Sequence, residues 1–196
     1  MRKIILFVIG ITMCAASAHA LEPIKLNKPD TKRGKSAMEA LAERKSVREY
    51  SAREITLQDL SDLLWAANGI TREDGRTTNP TAMNRQDIKV YVVLPKGTYL
   101  YNNKENRLDP ITEGDHRQEI RGAMPALNLL IVADDGDARF AGVNVGYVSQ
   151  NIYLFCAANG MGTVAAAGMD HDAYKKACKF DDKQKAIIQH PVGYLK

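Results

Sequence analysis

This 196-residue sequence has few cysteines, no long apolar run beyond its first twenty residues, and no large excess of either charge. Its three cysteines are too few for the disulfide framework of a small secreted module. No stretch after residue 20 approaches the roughly 20 apolar residues that a transmembrane helix needs. The formal charge of +4 is too small to indicate a nucleic-acid binder. These absences exclude three classes of protein and favour one globular domain with a substantial core.

The first twenty residues have the pattern of a secretory signal peptide. A basic start is followed by an apolar run from Ile4 to Ile11 and by small residues that end at Ala20. We therefore predict cleavage after Ala20 and export, with the periplasm as the destination. Lipid attachment at Cys14 is the alternative, although the bulky Met13 before it does not suit that kind of cleavage site.

The rest of the chain divides into an exposed leader, residues 21–35, and one domain, residues 36–196. The leader mixes proline, glycine and basic residues without periodicity. Ser36 and Thr56 each precede a run with helical spacing of apolar residues, so both are predicted helix N-caps. The second of these helices is expected to end at Gly69.

Strand-like segments follow in the middle of the chain. A hairpin is predicted by the segments DIKVYVVLP and GTYLYNN, and a buried central strand by the apolar run ALNLLIVADD. Between them we expect a polar linker and a short helix over residues 116–124. A long apolar helix over residues 138–159 and a terminal strand complete an α+β domain, in which helices cover a mixed, mainly antiparallel sheet.

The segment ERKSVREY carries a hydroxyl between two guanidiniums. In an extended chain, residues two apart point the same way, so Arg44, Ser46 and Arg48 share a face while Val47 points inward. Two guanidinium forks and a hydroxyl on one face suit a phosphate group. A solvated basic edge is the alternative for so short a pattern.

Two amide side chains stand two residues apart immediately before the first strand of the hairpin. Asn84 and Gln86 each offer a hydrogen-bond donor and an acceptor. That combination suits the edge of a heteroaromatic ring with alternating carbonyl and imino groups, as in flavin. Amides that only cap a loop are the alternative.

The stretch NGMGTVAAAGMD contains a G-x-G-x-x-A pattern at Gly160, Gly162 and Ala165. A dinucleotide fingerprint has to follow a strand and open a helix, whereas these glycines follow a predicted helix and precede a strand-like run. We therefore reject the dinucleotide hypothesis. The backbone at Ala167 and Gly168 could instead approach a ring closely, because no bulky side chain stands there.

In this order, the stretches resemble the FMN-dependent nitroreductase superfamily. The likeness runs from about Ser36 to Lys196 and rests on ALAERKSVREYS, LLWAANGITREDGRTTNPTAMNRQDIKVYVV, GTYLYNNKENRLDPITEGDHRQEI and AANGMGTVAAAGMD. It is strongest toward the branch of short dehydrogenases related to the peptide thiazoline/oxazoline dehydrogenases. The resemblance implies a three-layer α/β/α sandwich, an obligate homodimer, and FMN bound in the cleft between the subunits.

The resemblance also implies roles for particular residues. It assigns the FMN phosphate to Arg44, Ser46 and Arg48. It assigns the pyrimidine edge of the ring to Asn84 and Gln86, and the N5 and O4 region to the backbone amides of Ala167 and Gly168. Many members hold the phosphate with further basic residues beyond the final strand, whereas this sequence stops at Lys196, which is the candidate to substitute for them. No catalytic side chain is expected because the chemistry lies at flavin N5, and the histidines show no metal-ligand spacing.

The implied function is hydride transfer through flavin N5, with a small molecule as substrate. NAD(P)H is a candidate electron donor, although nicotinamide nucleotides are chiefly cytosolic and the N-terminus predicts export. Gly142 and Gly146 on the long helix are expected at the dimer axis. An exported flavin- or nucleotide-binding protein without turnover is the alternative.

Overall fold

Seven strands form one sheet in the computed structural model, which describes residues 20–196. The strands are β1 (Ile24–Lys25), β2 (Ile88–Leu94), β3 (Gly97–Asn102), β4 (Arg107–Glu113), β5 (Leu127–Ala133), β6 (Met161–Thr163) and β7 (Lys185–Tyr194). Their order is β1-β4-β3-β2-β5-β7-β6, and every pairing among the described residues is antiparallel. The expected sheet is therefore confirmed as antiparallel, without the parallel pair that "mixed" implied. Of the predicted signal peptide, all but Ala20 lies outside the described residues.

Four α-helices accompany the sheet in this part of the chain. They are α1 (Ala37–Glu43), α2 (Leu57–Asn68), α3 (Ala141–Ala158) and α4 (His171–Cys178), and a short 3-10 helix spans Ala82–Asn84. Both predicted N-caps are confirmed, because the side chains of Ser36 and Thr56 accept hydrogen bonds from backbone N–H groups in the first turns of α1 and α2. The long apolar helix is confirmed as α3, and Gly69 ends α2 as expected.

Alternating side chains of the central strands divide the core into two layers. Val90 and Val92 of β2 belong to the larger cluster, which is completed by α2 and α3. Tyr91 and Val93 face the other way into a smaller cluster with Tyr174 of α4. This period-2 alternation, with both faces apolar, is what a sheet covered on both sides requires. The predicted α/β/α sandwich is confirmed.

Most of residues 21–35 are exposed, yet the segment packs against the domain that was predicted to begin at residue 36. Ile24 pairs with Leu108 of β4, and Leu26 is buried. The Arg33 guanidinium lies 2.5 Å from a carboxylate oxygen of Asp59 and 2.8 Å from one of Asp62. A basic, proline-containing segment is expected to be solvent-exposed unless another part of the protein binds it. Here the Asp59 and Asp62 carboxylates of α2 bind Arg33. The segment is part of the domain.

The short helix predicted over residues 116–124 does not form. Arg121 and Gly122 both have positive φ, and Ile120 and Ala123 exchange backbone hydrogen bonds across a tight turn. The polar linker before it is in fact β4. Its sequence, RLDPITE, conceals a strand because Pro110 and the charged residues lack the apolar pattern of a central strand. Pairing with β3 and β1 stabilises it instead.

Candidate functional site

The segment after α1 runs along the edge of β6. The Val47 N–H donates to the Thr163 carbonyl at 2.8 Å, and an added Cβ on Gly162 would lie 2.6 Å from Val47 Cγ1. Val47 therefore points inward as predicted, and glycine at 162 makes room for it. The glycine pattern has a structural role in β6, in agreement with our rejection of the dinucleotide hypothesis.

Arg44 and Ser46 both contact the side chain of Tyr153 in α3. The Ser46 hydroxyl lies 3.0 Å from the Tyr153 hydroxyl, and the Arg44 guanidinium lies over the Tyr153 ring, 5.0 Å from its centre. Arg48 is half-buried two residues further along. Within residues 20–196, no carboxylate lies within ion-pair distance of Arg44 or Arg48. We call Arg44, Ser46 and Arg48 the clamp. The positive charges of its two arginines are not neutralised by a carboxylate in the described part of the chain.

Lys196 lies at the same end of the molecule, but it is paired. Its ammonium group is 3.3 Å from a carboxylate oxygen of Glu49, the residue that follows Arg48. Both side chains are mostly exposed, so such a pair contributes less than about 1 kcal/mol. The weak pairing leaves Lys196 free to exchange Glu49 for a more strongly charged anion.

The backbone at Ala167 and Gly168 is exposed beyond the end of β6. Ala166 exchanges backbone hydrogen bonds with Gln189 of β7, and the Gln189 side chain donates to the Gly168 carbonyl at 2.9 Å. The N–H groups of Ala167 and Gly168 have no acceptor among the described residues. A buried glutamine thus holds this peptide, and the two backbone donors beside it have no partner in the described part of the chain.

Asn84 and Gln86 lie together in what we call the amide turn, residues 81–86. The Gln86 amide donates to the Asn84 side-chain oxygen at 3.2 Å, and both side chains are exposed. The turn is not extended, because Met83, Asn84 and Gln86 all have φ between 50° and 56°. Three non-glycine residues in the left-handed region are costly, and such strain concentrates at functional sites.

The residues before the amide turn were not singled out by sequence, yet they form a polar cavity. It has a volume of about 340 Å³, and it is lined by Asn84 together with Arg72, Arg76 and the loop residues 77–81. Asn79 is buried, and neither atom of its amide has a partner within the described chain. The run TTNPT looked like an ordinary loop, and nothing in it signals which amide is left unpaired.

The clamp and the amide turn do not meet within one protomer. The turn is held to the first part of α3, where the Asn144 side chain accepts a hydrogen bond from the Ala82 N–H at 3.1 Å. Tyr153, which contacts the clamp, lies nine residues further along α3. At 1.5 Å per residue that is about 13.5 Å. The predicted phosphate and ring-edge residues therefore occupy opposite ends of one helix.

One stripe of α3 is uncovered. Gly142, Val143, Gly146 and Tyr147, which we call the α3 stripe, are exposed, and Val143 and Tyr147 retain 50% and 43% of their accessible surface. An added Cβ on Gly142 or Gly146 would meet no atom within 4 Å. Met38 of α1 is also largely exposed. Apolar side chains clustered on a helix face are typical of an interaction surface.

The sequence of residues 41–194, which includes every predicted cofactor-binding residue except Lys196, matches the profile of the nitroreductase family. The chain belongs to the nitroreductase family. This confirms the resemblance at the level of the superfamily. It supports an oxidoreductase that uses flavin, as the family typically does.

Individual relatives of this nitroreductase-family protein are consistent with the family assignment. A protein of Methanocaldococcus jannaschii that carries the name nitroreductase is 28% identical over 180 residues, which cover 79% of this chain and 89% of the relative. A crystal structure of a Ralstonia eutropha protein, also described as a nitroreductase, has a TM-score of 0.80 at 28% identity, covering 89% of this chain and 90% of that one. An FMN-dependent nitroreductase of Clostridium difficile shares the fold, with a TM-score of 0.55 at 14% identity over 80% of this chain and 86% of its own.

No helix within residues 20–196 combines the length and apolar character needed to cross a membrane. The same residues contain no group of three or more side chains arranged to hold a metal ion.

Proposed function

We propose that this protein is an FMN-dependent oxidoreductase that transfers hydride between an electron donor and a small-molecule substrate. The observation that carries the proposal is the clamp, in which two guanidiniums without carboxylate partners flank a serine hydroxyl. Charge-assisted hydrogen bonds make such a group a strong site for a phosphate. On the sequence likeness given above, we assign the protein to the branch of short dehydrogenases related to the peptide thiazoline/oxazoline dehydrogenases.

The remaining site residues fit the flavin ring. FMN, when bound, would supply the hydride-carrying centre at N5. The N–H groups of Ala167 and Gly168, which have no acceptor among the described residues, are suitable donors for the N5 and O4 region, and Gln189 keeps their peptide in place. Asn84 and Gln86 offer amide groups for the pyrimidine edge, and the unpaired amide of Asn79 lies close by in the sequence. Lys196 would add charge at the phosphate.

We also propose that the protein is a homodimer and that the dimer completes the site. If two α3 helices cross antiparallel near Gly146, the start of the partner's α3 lies about 7.5 Å from the crossing and Tyr153 lies about 10.5 Å from it on the same side. The partner's amide turn would then stand beside this protomer's clamp. This arrangement accounts for the separation of the two groups within one chain and for the uncovered α3 stripe.

The electron donor and the compartment belong to the same proposal. NAD(P)H is the candidate donor, and the periplasm is the proposed location after cleavage behind Ala20. Anaerobic addition of NADH or NADPH to the purified protein tests turnover: bleaching of the flavin absorbance supports the enzyme. A flavin that only a chemical reductant bleaches supports a flavin-binding protein without turnover. A periplasmic protein whose N-terminal residue is Leu21 would support export.

Replacement of Arg48 by alanine tests the phosphate assignment. Hydrogen bonds to charged groups contribute roughly 1.5–3 kcal/mol each, so FMN binding should weaken by about one to two orders of magnitude. Riboflavin, which lacks the phosphate, should bind as it does to the unchanged protein. Arg53→Ala is the control, because it removes the same charge from an arginine that stacks on Tyr194 outside the clamp. Equal losses for FMN and riboflavin would contradict the assignment.

Replacement of Gln86 by leucine tests the ring edge. Amide donors at the pyrimidine edge stabilise the negative charge that gathers at N1 and O2 on reduction. Their loss should lower the reduction potential of bound flavin by about 30 mV, which corresponds to about 1.4 kcal/mol for two electrons. Arg85→Leu, at the exposed neighbouring position, is the control. An unchanged potential in Gln86→Leu would make Gln86 a loop-capping residue.

A further inference from the structure

The Tyr153 hydroxyl joins two of the proposed flavin-binding segments. It lies 2.8 Å from the Ala165 backbone nitrogen and 3.0 Å from the Ser46 hydroxyl oxygen. A backbone N–H can only donate, so the Tyr153 oxygen accepts from Ala165. The single proton of Tyr153 then has Ser46 as its one hydrogen-bond acceptor within the described residues. The Ala165 bond has a fixed direction, whereas either hydroxyl can donate in the Ser46–Tyr153 bond, and we take Tyr153 as the donor.

This hydrogen bond determines where the Ser46 hydroxyl can donate its own proton. Its oxygen accepts the Tyr153 proton, and its own proton has no acceptor among the described residues. A serine hydroxyl that would otherwise rotate freely is thereby set to donate away from Tyr153. We propose that Tyr153 is a positioning residue that presents Ser46 as a hydrogen-bond donor to the phosphate of the cofactor. This inference rests on the FMN site proposed above.

The ring of Tyr153 is itself fixed on two sides. The Arg44 guanidinium lies over it, and the His190 imidazole meets it edge-on, with centres 5.3 Å apart and planes at 83°. Both nitrogens of His190 are engaged, one with Ser149 at 2.8 Å and the other with Thr163 at 3.0 Å. The imidazole therefore cannot turn, and the Tyr153 hydroxyl stays between Ser46 and Ala165. Such a connected network orders each of its members.

Tyr153→Phe isolates the hydroxyl, because the phenylalanine ring still packs against Arg44 and His190. We expect its dissociation constant for FMN to rise about threefold to tenfold, while that for riboflavin changes less than twofold. Ser46→Ala should weaken FMN binding at least as much. Because Tyr153 acts through Ser46, the double variant should bind FMN no more weakly than Ser46→Ala alone. Fluorescence titration of the apoprotein, at a temperature where every variant is folded, measures all of these constants.

Tyr50→Phe is the matched control. The Tyr50 hydroxyl donates to the Val47 carbonyl at 2.8 Å, so it stabilises the same segment without touching Ser46. Its FMN affinity should stay within twofold of the unchanged protein. The inference is overturned if Tyr50→Phe and Tyr153→Phe lose FMN equally, or if the losses of Tyr153→Phe and Ser46→Ala multiply.

The outcomes also separate this inference from the proposed function. A loss of FMN in Ser46→Ala and Arg48→Ala with no loss in Tyr153→Phe would overturn the role of Tyr153 and leave the FMN site standing. An unchanged protein that binds neither FMN nor riboflavin would overturn the proposed function, and the role of Tyr153 with it.

Discussion

If the protein is the FMN-bound dimer proposed above, replacement of Gly146 by leucine is expected to turn it into a flavin-free monomer. An added Cβ at this position meets no atom of its own protomer within 4 Å, so leucine does not disturb the domain. Leucine even favours the helix, because glycine in a helix interior costs about 1 kcal/mol relative to a good helix former. The whole effect should fall on the contact between α3 helices, where overpacking costs about 1–3 kcal/mol and raises the dissociation constant about 10- to 100-fold.

Sedimentation velocity and the FMN content per protomer measure this result, and the thermal transition shows whether the domain remains folded. Ala173→Leu is the control, because it adds a leucine side chain to an exposed helical site on α4, beyond the opposite face of the sheet. Two outcomes would contradict the dimer: an unchanged protein that is monomeric and yellow, or a Gly146→Leu variant that still dimerises with full affinity.

The second large effect is a loss of stability in mild acid that depends on His190. This side chain is fully buried, and burial lowers its pKa to about 3. The unfolded chain binds a proton there near pH 6.5, whereas the folded protein does not. Stability is therefore complete above pH 6.5 and falls as the pH drops from 6.5 towards 3, by up to about 1.4 kcal/mol per pH unit.

Urea unfolding at pH 7, 6 and 5 measures this slope. His190→Gln should lower the unfolding free energy at pH 7 by about 1–3 kcal/mol, because glutamine does not reproduce the hydrogen bonds to Ser149 and Thr163. It should also flatten the pH dependence. Exposed His171→Gln should keep it. Parallel curves for the unchanged protein and His190→Gln would show that the acid effect arises elsewhere. Carboxylates such as Asp115, whose pKa is lowered by its hydrogen bond with Arg117, add their loss only at lower pH.

Local chemistry made part of the fold predictable. The caps at Ser36 and Thr56 depend on a side chain and the backbone three residues away, so the sequence alone contains them. The strand β5 was predictable because its sequence is apolar apart from Asn128, which is typical of a strand buried on both faces. By contrast, β4 is a strand because of its neighbours, and residues 116–124 fail to form a helix despite a helical pattern. Tertiary pairing overrides local preference in both places.

The candidate site shows the same division. The common face of Arg44 and Ser46 followed from the period of an extended chain, and their shared contact with Tyr153 agrees with it. Tyr153 itself was one apolar-helix residue among many, because its partners are remote in sequence. The positive φ of Asn84 and Gln86 was likewise hidden, since neither is glycine and the strain is imposed by the surrounding loop.

The two ends of the sheet bear on how the protein avoids association with other chains. The outermost strands, β1 and β6, have only two and three residues, and short edges offer little template for strand addition. The segment through Val47 also covers β6. β1 pairs with β4 only at Arg107 and Leu108, so a chain trimmed to begin at Ser36 would leave these two residues, as well as the rest of β4, on an open edge. The segment that sequence alone makes look dispensable thus shortens the open edge of the sheet.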